Sequence, residues 1–224
     1  MDEGAEFDRY ARSYDEIHAR NLTPGGERPA YYALYKQRIV QRILGQGFSL
    51  PILDFGCGVG TLTSLLSRSF PAVHGYDPSA ESLRVARERA QTAQFFDDRE
   101  ALARGEYGAV ILANVLHHVA PMDRPAFLRE VTALLRTGGT LIAFEHNRLN
   151  PLTRRIVAAC PFDDGARLLH SGELIRLLRG AGLRRIRRDY IVFFPRALRL
   201  LRPLEPRLRW LPLGAQICVR GIRQ

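Results

Sequence analysis

The chain has 224 residues, 46% hydrophobic and 25% charged, a balance that fits one globular domain with a large core and excludes a disordered or fibrous chain. No apolar run approaches the ~20 residues that cross a bilayer, the acidic start MDEGAEFDRY does not read as a signal peptide, and three widely spaced cysteines (Cys57, Cys160 and Cys218) argue against a disulfide framework or metal cluster and suit a reducing cytoplasm. The net charge of +10 is uneven: residues 1–147 hold 16 basic and 18 acidic residues, residues 148–224 hold 17 and 5, and only one of the 33 basic residues is a lysine, Lys36.

Residues 5–20 place Phe7, Tyr10 and Tyr14 three and four apart, on one helical face. A loop with Pro24, Gly25, Gly26 and Pro29 precedes a second helix over 31–44, which Gly45, Gly47 and Pro51 end. The run ILDFGCGVG, 52–60, begins as a short apolar strand and ends in Gly56, Gly58 and Gly60. Leu62, Leu65, Leu66 and Phe70 then recur at helical spacing, with Thr61 as the expected N-cap. Strand, glycine turn and helix in this order make a ligand cradle, because the backbone can bend sharply and the helix N-terminus offers free N–H groups.

The second strand, VHGYD, ends in Asp77, 17 residues after Gly60. An acid there can accept two hydrogen bonds from a ribose diol. Ser79 caps the next helix, AQFFDD (93–98) is a third strand, and Tyr107 to Val115 is a fourth, apolar enough to be covered on both faces. An amphipathic helix over 124–136, stopped by Gly138 and Gly139, leads to a fifth strand, 140–146. A loop and helix follow, broken at Pro161; Ser171 caps a helix over 171–183, and strands six and seven are expected at 184–194 and 215–223.

Strands alternating with helices predict a doubly wound, mostly parallel seven-stranded Rossmann-like sheet, with N-terminal helices. Ligands in such sheets sit beyond the carboxyl ends of the strands. Asp77, Asp98, Asn114, His117, His118, Glu145 and His146 all fall at such ends.

The dinucleotide fingerprint G-x-G-x-x-G is not present, since Thr61 stands at its last position. The pattern Asp54-x-Gly56-x-Gly58-x-Gly60, with Asp77 downstream, instead resembles the class I S-adenosylmethionine-dependent methyltransferases of the small-molecule type 11. The resemblance covers roughly residues 52–146. It implies S-adenosylmethionine as cofactor, bound by Asp54, Gly56, Cys57, Gly58, Gly60, Asp77 and Pro78. It also implies an adenine contact from Asp97 or Asp98, Asn114 beside the methionine part, and an N-terminal lid carrying Tyr10 and Tyr14. In the family the last two strands form an antiparallel hairpin. Here about 20 residues, 195–214, intervene as an insertion on the active-site rim.

The expected division is one domain, 1–224. It comprises a helical lid (1–50), a cofactor core (51–146) and a substrate-side part (147–224). A hydroxyl acceptor needs its proton removed, for which His117 or His118 is suited, with Glu145 and His146 as further candidates for base or substrate ligand. An ordinary structural role for one histidine of the pair stands beside that reading. No dense carboxylate cluster asks for a metal.

The resemblance leads to O-methylation of a small or lipid-linked metabolite. The alternative is an RNA methyltransferase or nucleic-acid-binding protein using the basic last third. In 195–214, Leu198, Leu201, Leu204, Leu208 and Leu211 recur at helical intervals between arginines, while Pro203, Pro206 and Pro212 forbid one long helix. That composition, with a single Trp210, suits a peripheral membrane contact of a cytoplasmic protein, or a packed lid or subunit contact, better than RNA.

Overall fold

The computed structural model describes residues 27–224. The expected lid tyrosines, Tyr10 and Tyr14, lie outside them. Helix α1 (Pro29–Leu44) begins on a proline, whose missing N–H costs nothing in the first turn, and ends at Gly45 with φ +86°. Strand β1 (Ile52–Phe55) leads through the glycine turn to α2 (Thr61–Ser67). Then come β2 (Val73–Tyr76), α3 (Ala80–Arg89), β3 (Gln94–Phe96) and β4 (Tyr107–Ala113). Helix α4 (Arg124–Leu134) runs directly into β5 (Leu135–His146), followed by α5 (Pro151–Ala158) and α6 (Ser171–Gly180). Strands β6 (Leu183–Ile191) and β7 (Gln216–Arg223) flank an insertion made of a 3-10 segment (Arg196–Leu204) and the short α7 (Glu205–Leu208).

The strand order is β3-β2-β1-β4-β5-β7-β6. Strands β1 to β5 pair in parallel, and β7 is antiparallel to both β5 and β6. Strand β6 therefore points the same way as the first five, and its end carries the insertion to the rim, as expected.

Side-chain alternation divides the core in two. Ala109 and Ile111 of β4 join Ile52, Ile142 and Phe144 against Ile39 and Val40 of α1 and Leu62 and Leu66 of α2. Val110 and Leu112 join Leu53, Leu141 and Val219 on the other face, under Phe127 and Leu128 of α4 and Leu174 and Leu178 of α6. Each fully buried aliphatic side chain contributes roughly 1.5–3 kcal/mol.

Several boundaries differ from expectation. The residue capping α2 is Gly60 in a left-handed conformation, with Thr61 already helical. For α6 the cap is His170, whose Nδ1 accepts from the Gly172 amide; Ser171 instead bonds the Tyr190 hydroxyl. Strand β4 ends at Ala113, because Asn114 takes φ +62°. Gly138 and Gly139 do not stop α4. They lie in an irregular stretch of β5 where the register to β4 shifts between Tyr107 and Ala109.

Candidate active site

The carboxyl ends of β1, β2, β4 and β5 open into one cavity of about 430 Å³, closed on other sides by α1, α5 and the 160–166 segment. Gly56, Gly58 and Gly60 all have positive φ, +77°, +52° and +73°. Their reasons differ. A Cβ on Gly56 would stand 2.6 Å from Val115, and one on Gly60 would stand 2.8 Å from Ala86. A Cβ on Gly58 would meet nothing, since Gly58 faces the cavity.

Asp77 supports this turn. Its Oδ2 accepts from the Gly58 amide at 2.8 Å and its Oδ1 from the Ser79 amide at 3.0 Å. Pro78 and Cys57 line the cavity beside it. Asp54 is buried; one carboxylate oxygen accepts from Thr63 Oγ1 at 2.7 Å and the other has no hydrogen-bond partner. Burial raises its pKa to about 6 against the Thr63 hydrogen bond and the charge of Lys36. Asn114 donates its backbone N–H to the Phe144 carbonyl, which holds it at the end of β4, and its buried side-chain Oδ1 is likewise unpartnered. Asp97 and Asp98 follow β3 at the exposed surface and do not line the cavity; Asp98 accepts from the Glu100 amide. Arg99 reaches the wall instead, donating to the Tyr76 hydroxyl at 3.0 Å, with its guanidinium near the Phe55 and Phe127 rings.

The histidines form a second cluster. His117 is buried, with Nδ1 2.7 Å from Glu145 and Nε2 3.2 Å from Asp163. Glu145 also accepts from the Leu116 amide at 2.8 Å. Burial alone would lower the His117 pKa. The Glu145 charge and the two carboxylate hydrogen bonds outweigh it and raise the value to about 9. His117 is thus an imidazolium between two carboxylates. Burial and the His117 charge push His118 down to about 4 and His146 to about 3, so both are neutral. His117, His118 and Asp163 each offer a ligand atom within 4.8 Å of the others, a spacing that also suits a shared cation. His117, His118 and His146 line the cavity, whereas Glu145 acts from behind His117.

Three wall residues carried no sequence signal of a role: Asp163, Lys36 and Gln216. Asp163 lies on a 3-10 turn (Pro161–Asp163), Lys36 on α1, and Gln216 at the start of β7 opposite His146. Arg124 was also silent. It is buried and holds the histidine loop through the Leu116 and Val119 carbonyls, with an ion pair to Glu173 at 2.8 Å.

Sheet order, antiparallel last strand and a glycine cradle at the strand ends define the fold of S-adenosylmethionine-dependent methyltransferases. The residues present fit that cofactor. A sulfonium and an α-ammonium are positive, and the cavity offers the unpartnered oxygens of Asp54 and Asn114 beside the open face of Gly58.

A methyltransferase-domain family matches residues 7–187, and the chain belongs to it. Among curated relatives, a ubiquinone biosynthesis O-methyltransferase of Methylocella silvestris is 34% identical over 163 residues, 65% of this chain and 62% of that protein. One of Ruegeria pomeroyi is 32% identical over 163 residues, 65% and 64% respectively. The chain thus spans somewhat under two thirds of the length of these relatives. Among solved structures, an S-adenosylmethionine-dependent methyltransferase of Thermotoga maritima superposes with a TM-score of 0.70 at 18% identity, over 99% of each chain.

Proposed function

We propose that the protein transfers a methyl group from S-adenosylmethionine to a hydroxyl oxygen of a small or lipid-linked metabolite. The observation that carries this reading is the cavity end where Asp77 holds the glycine turn and the oxygens of Asp54 and Asn114 are left unpartnered. The cofactor supplies an electrophilic methyl on a sulfonium, so much of the driving force is its own. The chain's residues orient the reactants and exclude water. In this reading Asp54, Gly56, Cys57, Gly58, Asp77, Pro78 and Asn114 bind the cofactor. Gly60, whose missing Cβ lets α2 pack on Ala86, shapes the turn. The proposed adenine contact is Asp97 or Asp98 reached by side-chain movement, with Arg99 already at the wall. His117, His118 and His146 form the acceptor wall, and Glu145 and Asp163 fix His117. Residues 1–50 serve as lid, 51–146 as cofactor core and 147–224 as acceptor side. Oxygen as acceptor atom is favoured by the curated relatives named O-methyltransferases.

The test is incubation of cell extract with isotopically methyl-labelled cofactor, read by mass spectrometry. A labelled hydroxyl-derived product is expected. Tight binding of NAD in calorimetry, with none of S-adenosylmethionine, would overturn the reading.

We also infer a peripheral membrane contact through the insertion. It exposes Leu200 (87%), Trp210 (70%), Leu198, Leu201, Leu204 and Leu213, bordered by arginines. Among the described residues no helix is long and apolar enough to cross a membrane. Each arginine near an anionic surface adds about 1 kcal/mol, weakened by salt. Salt-sensitive sedimentation with anionic vesicles, reduced in Leu200→Ser/Trp210→Ser, is expected. Equal binding to neutral vesicles, or none at low salt, would refute the electrostatic contact.

A further inference from the structure

Lys36 is the single lysine in a chain that otherwise uses arginine for every basic residue. It lies one turn before Ile39 and Val40 on the buried face of α1, is 7% exposed, and lines the cavity. Its ammonium stands 5.8 Å from the centroid of the Phe144 ring. Phe144 and the neighbouring Glu145 lie in the last three residues of β5, so Lys36 faces the cavity where that strand finishes. Among the described residues its amine has charged neighbours but no hydrogen bond or ion pair. A buried cation without a bonded partner is costly. Gln216, which lines the same cavity, has a buried Oε1 with no hydrogen-bond partner.

What lysine offers that arginine lacks is a releasable proton, because a guanidinium does not deprotonate in proteins. The histidines are less suited to that function. Both ring nitrogens of His117 are engaged by carboxylates, and burial together with the His117 charge makes His118 and His146 weaker bases than a free imidazole.

We propose that Lys36 is the base that removes the proton from the acceptor hydroxyl, an inference that rests on the methyltransferase reading. Neutral Nζ takes the hydroxyl proton. The oxygen's electron pair forms the new bond to the methyl carbon, and the carbon–sulfur bond breaks with its pair remaining on sulfur. Positive charge leaves sulfur and appears on Lys36, so the cavity carries one such charge before and after. Burial lowers the lysine pKa from its ordinary 10.5 to about 8, opposed by Glu145, Asp54 and Cys218. The groups facing it are Asp54 from β1, Glu145 and His146 from β5, and Cys218 from β7. A sulfonium bound in the same cavity would disfavour the ammonium further and ready the amine as base.

Because these 224 residues hold one lysine, carbon-13 lysine labelling of this chain gives a single side-chain Cε resonance to titrate. The expected midpoint is about 8 in the free protein. It should be lower with S-adenosylmethionine bound than with S-adenosylhomocysteine, whose sulfur is neutral. A midpoint in the ordinary lysine range, or the same midpoint with both ligands, overturns the proposal. Lys36→Arg keeps the charge but cannot act as a base. It should bind S-adenosylhomocysteine with unchanged affinity in calorimetry, bind S-adenosylmethionine more weakly than the wild type above about pH 8, where the lysine but not the arginine loses its charge, and lose about 10²–10⁴-fold in labelled methyl transfer to extract acceptors at saturating cofactor; retained transfer overturns the role. If the wild type binds neither ligand, the methyltransferase reading fails, and this inference with it. If the variant does not fold, the wild-type titration still decides.

Discussion

Asp163 stands 3.2 Å from Nε2 of His117, 46 residues away in sequence, and closes a line of charge that begins at Glu145. Nothing between the two residues in the chain announces the contact. The 3-10 turn at Pro161–Asp163 delivers the carboxylate, and the Arg167 amide bonds the His117 carbonyl at 2.8 Å to keep the segments together.

This pair makes stability depend on pH. The folded His117 pKa, about 9, lies above its ordinary 6.5, so the stabilisation is fully present below 6.5 and is lost as pH rises through about 9. Asp163, although burial opposes it, is lowered to about 2 from 3.8 by His117, so its share is present above 3.8 and lost as pH falls toward 2. Urea unfolding should give a stability on the order of 1–3 kcal/mol lower at pH 9.5 than at pH 6. In Asp163→Asn that difference should shrink. An unchanged difference would show that Asp163 does not hold the imidazolium.

Asp77→Ala removes the acceptor for the Gly58 and Ser79 amides as well as the expected ribose contact. S-adenosylmethionine binding should weaken by about 1–3 kcal/mol. Isothermal calorimetry checks it, and wild-type affinity in the variant would remove Asp77 from the site.

Gly60→Ala places a methyl 2.8 Å from the Ala86 Cβ in a left-handed backbone conformation. Strain of about 1–2 kcal/mol from the backbone, plus the clash, should lower stability in urea. Gly58→Ala, with open space at its Cβ, should cost less stability but more cofactor affinity. Equal stability losses would contradict this division.

Glu205 anchors the insertion. It is buried, accepts from the Phe193 and Phe194 amides at 3.1 Å each, and receives the Tyr35 hydroxyl from α1. Glu205→Ala leaves those donors unsatisfied at about 1–3 kcal/mol. Trypsin should then cut faster at Arg199 and Arg207. A cleavage pattern identical to wild type would mean that the insertion is held by other contacts.

The sequence by itself determined the order of strands and helices, the glycine turn and the residues at the strand ends. These are local matters. Runs such as Ile52–Phe55 and Tyr107–Ala113 are apolar because both faces are covered, and a turn with three positive-φ positions selects glycine. For the same reason Asp54, Asp77, Asn114, His117 and Glu145 were legible as candidates. Caps and strand ends were less so, because Gly60 and His170 displaced Thr61 and Ser171 through turn geometry that side-chain preference does not reveal. Only the tertiary structure decided the protonation of the cluster. His117 becomes a fixed cation because Glu145 from β5 and Asp163 from a distant turn meet on its two nitrogens. Lys36 becomes a buried cavity amine because α1 packs that face across β1 and β5. Such effects arise from charges brought within a few ångströms out of water, and no spacing along one chain segment encodes that distance.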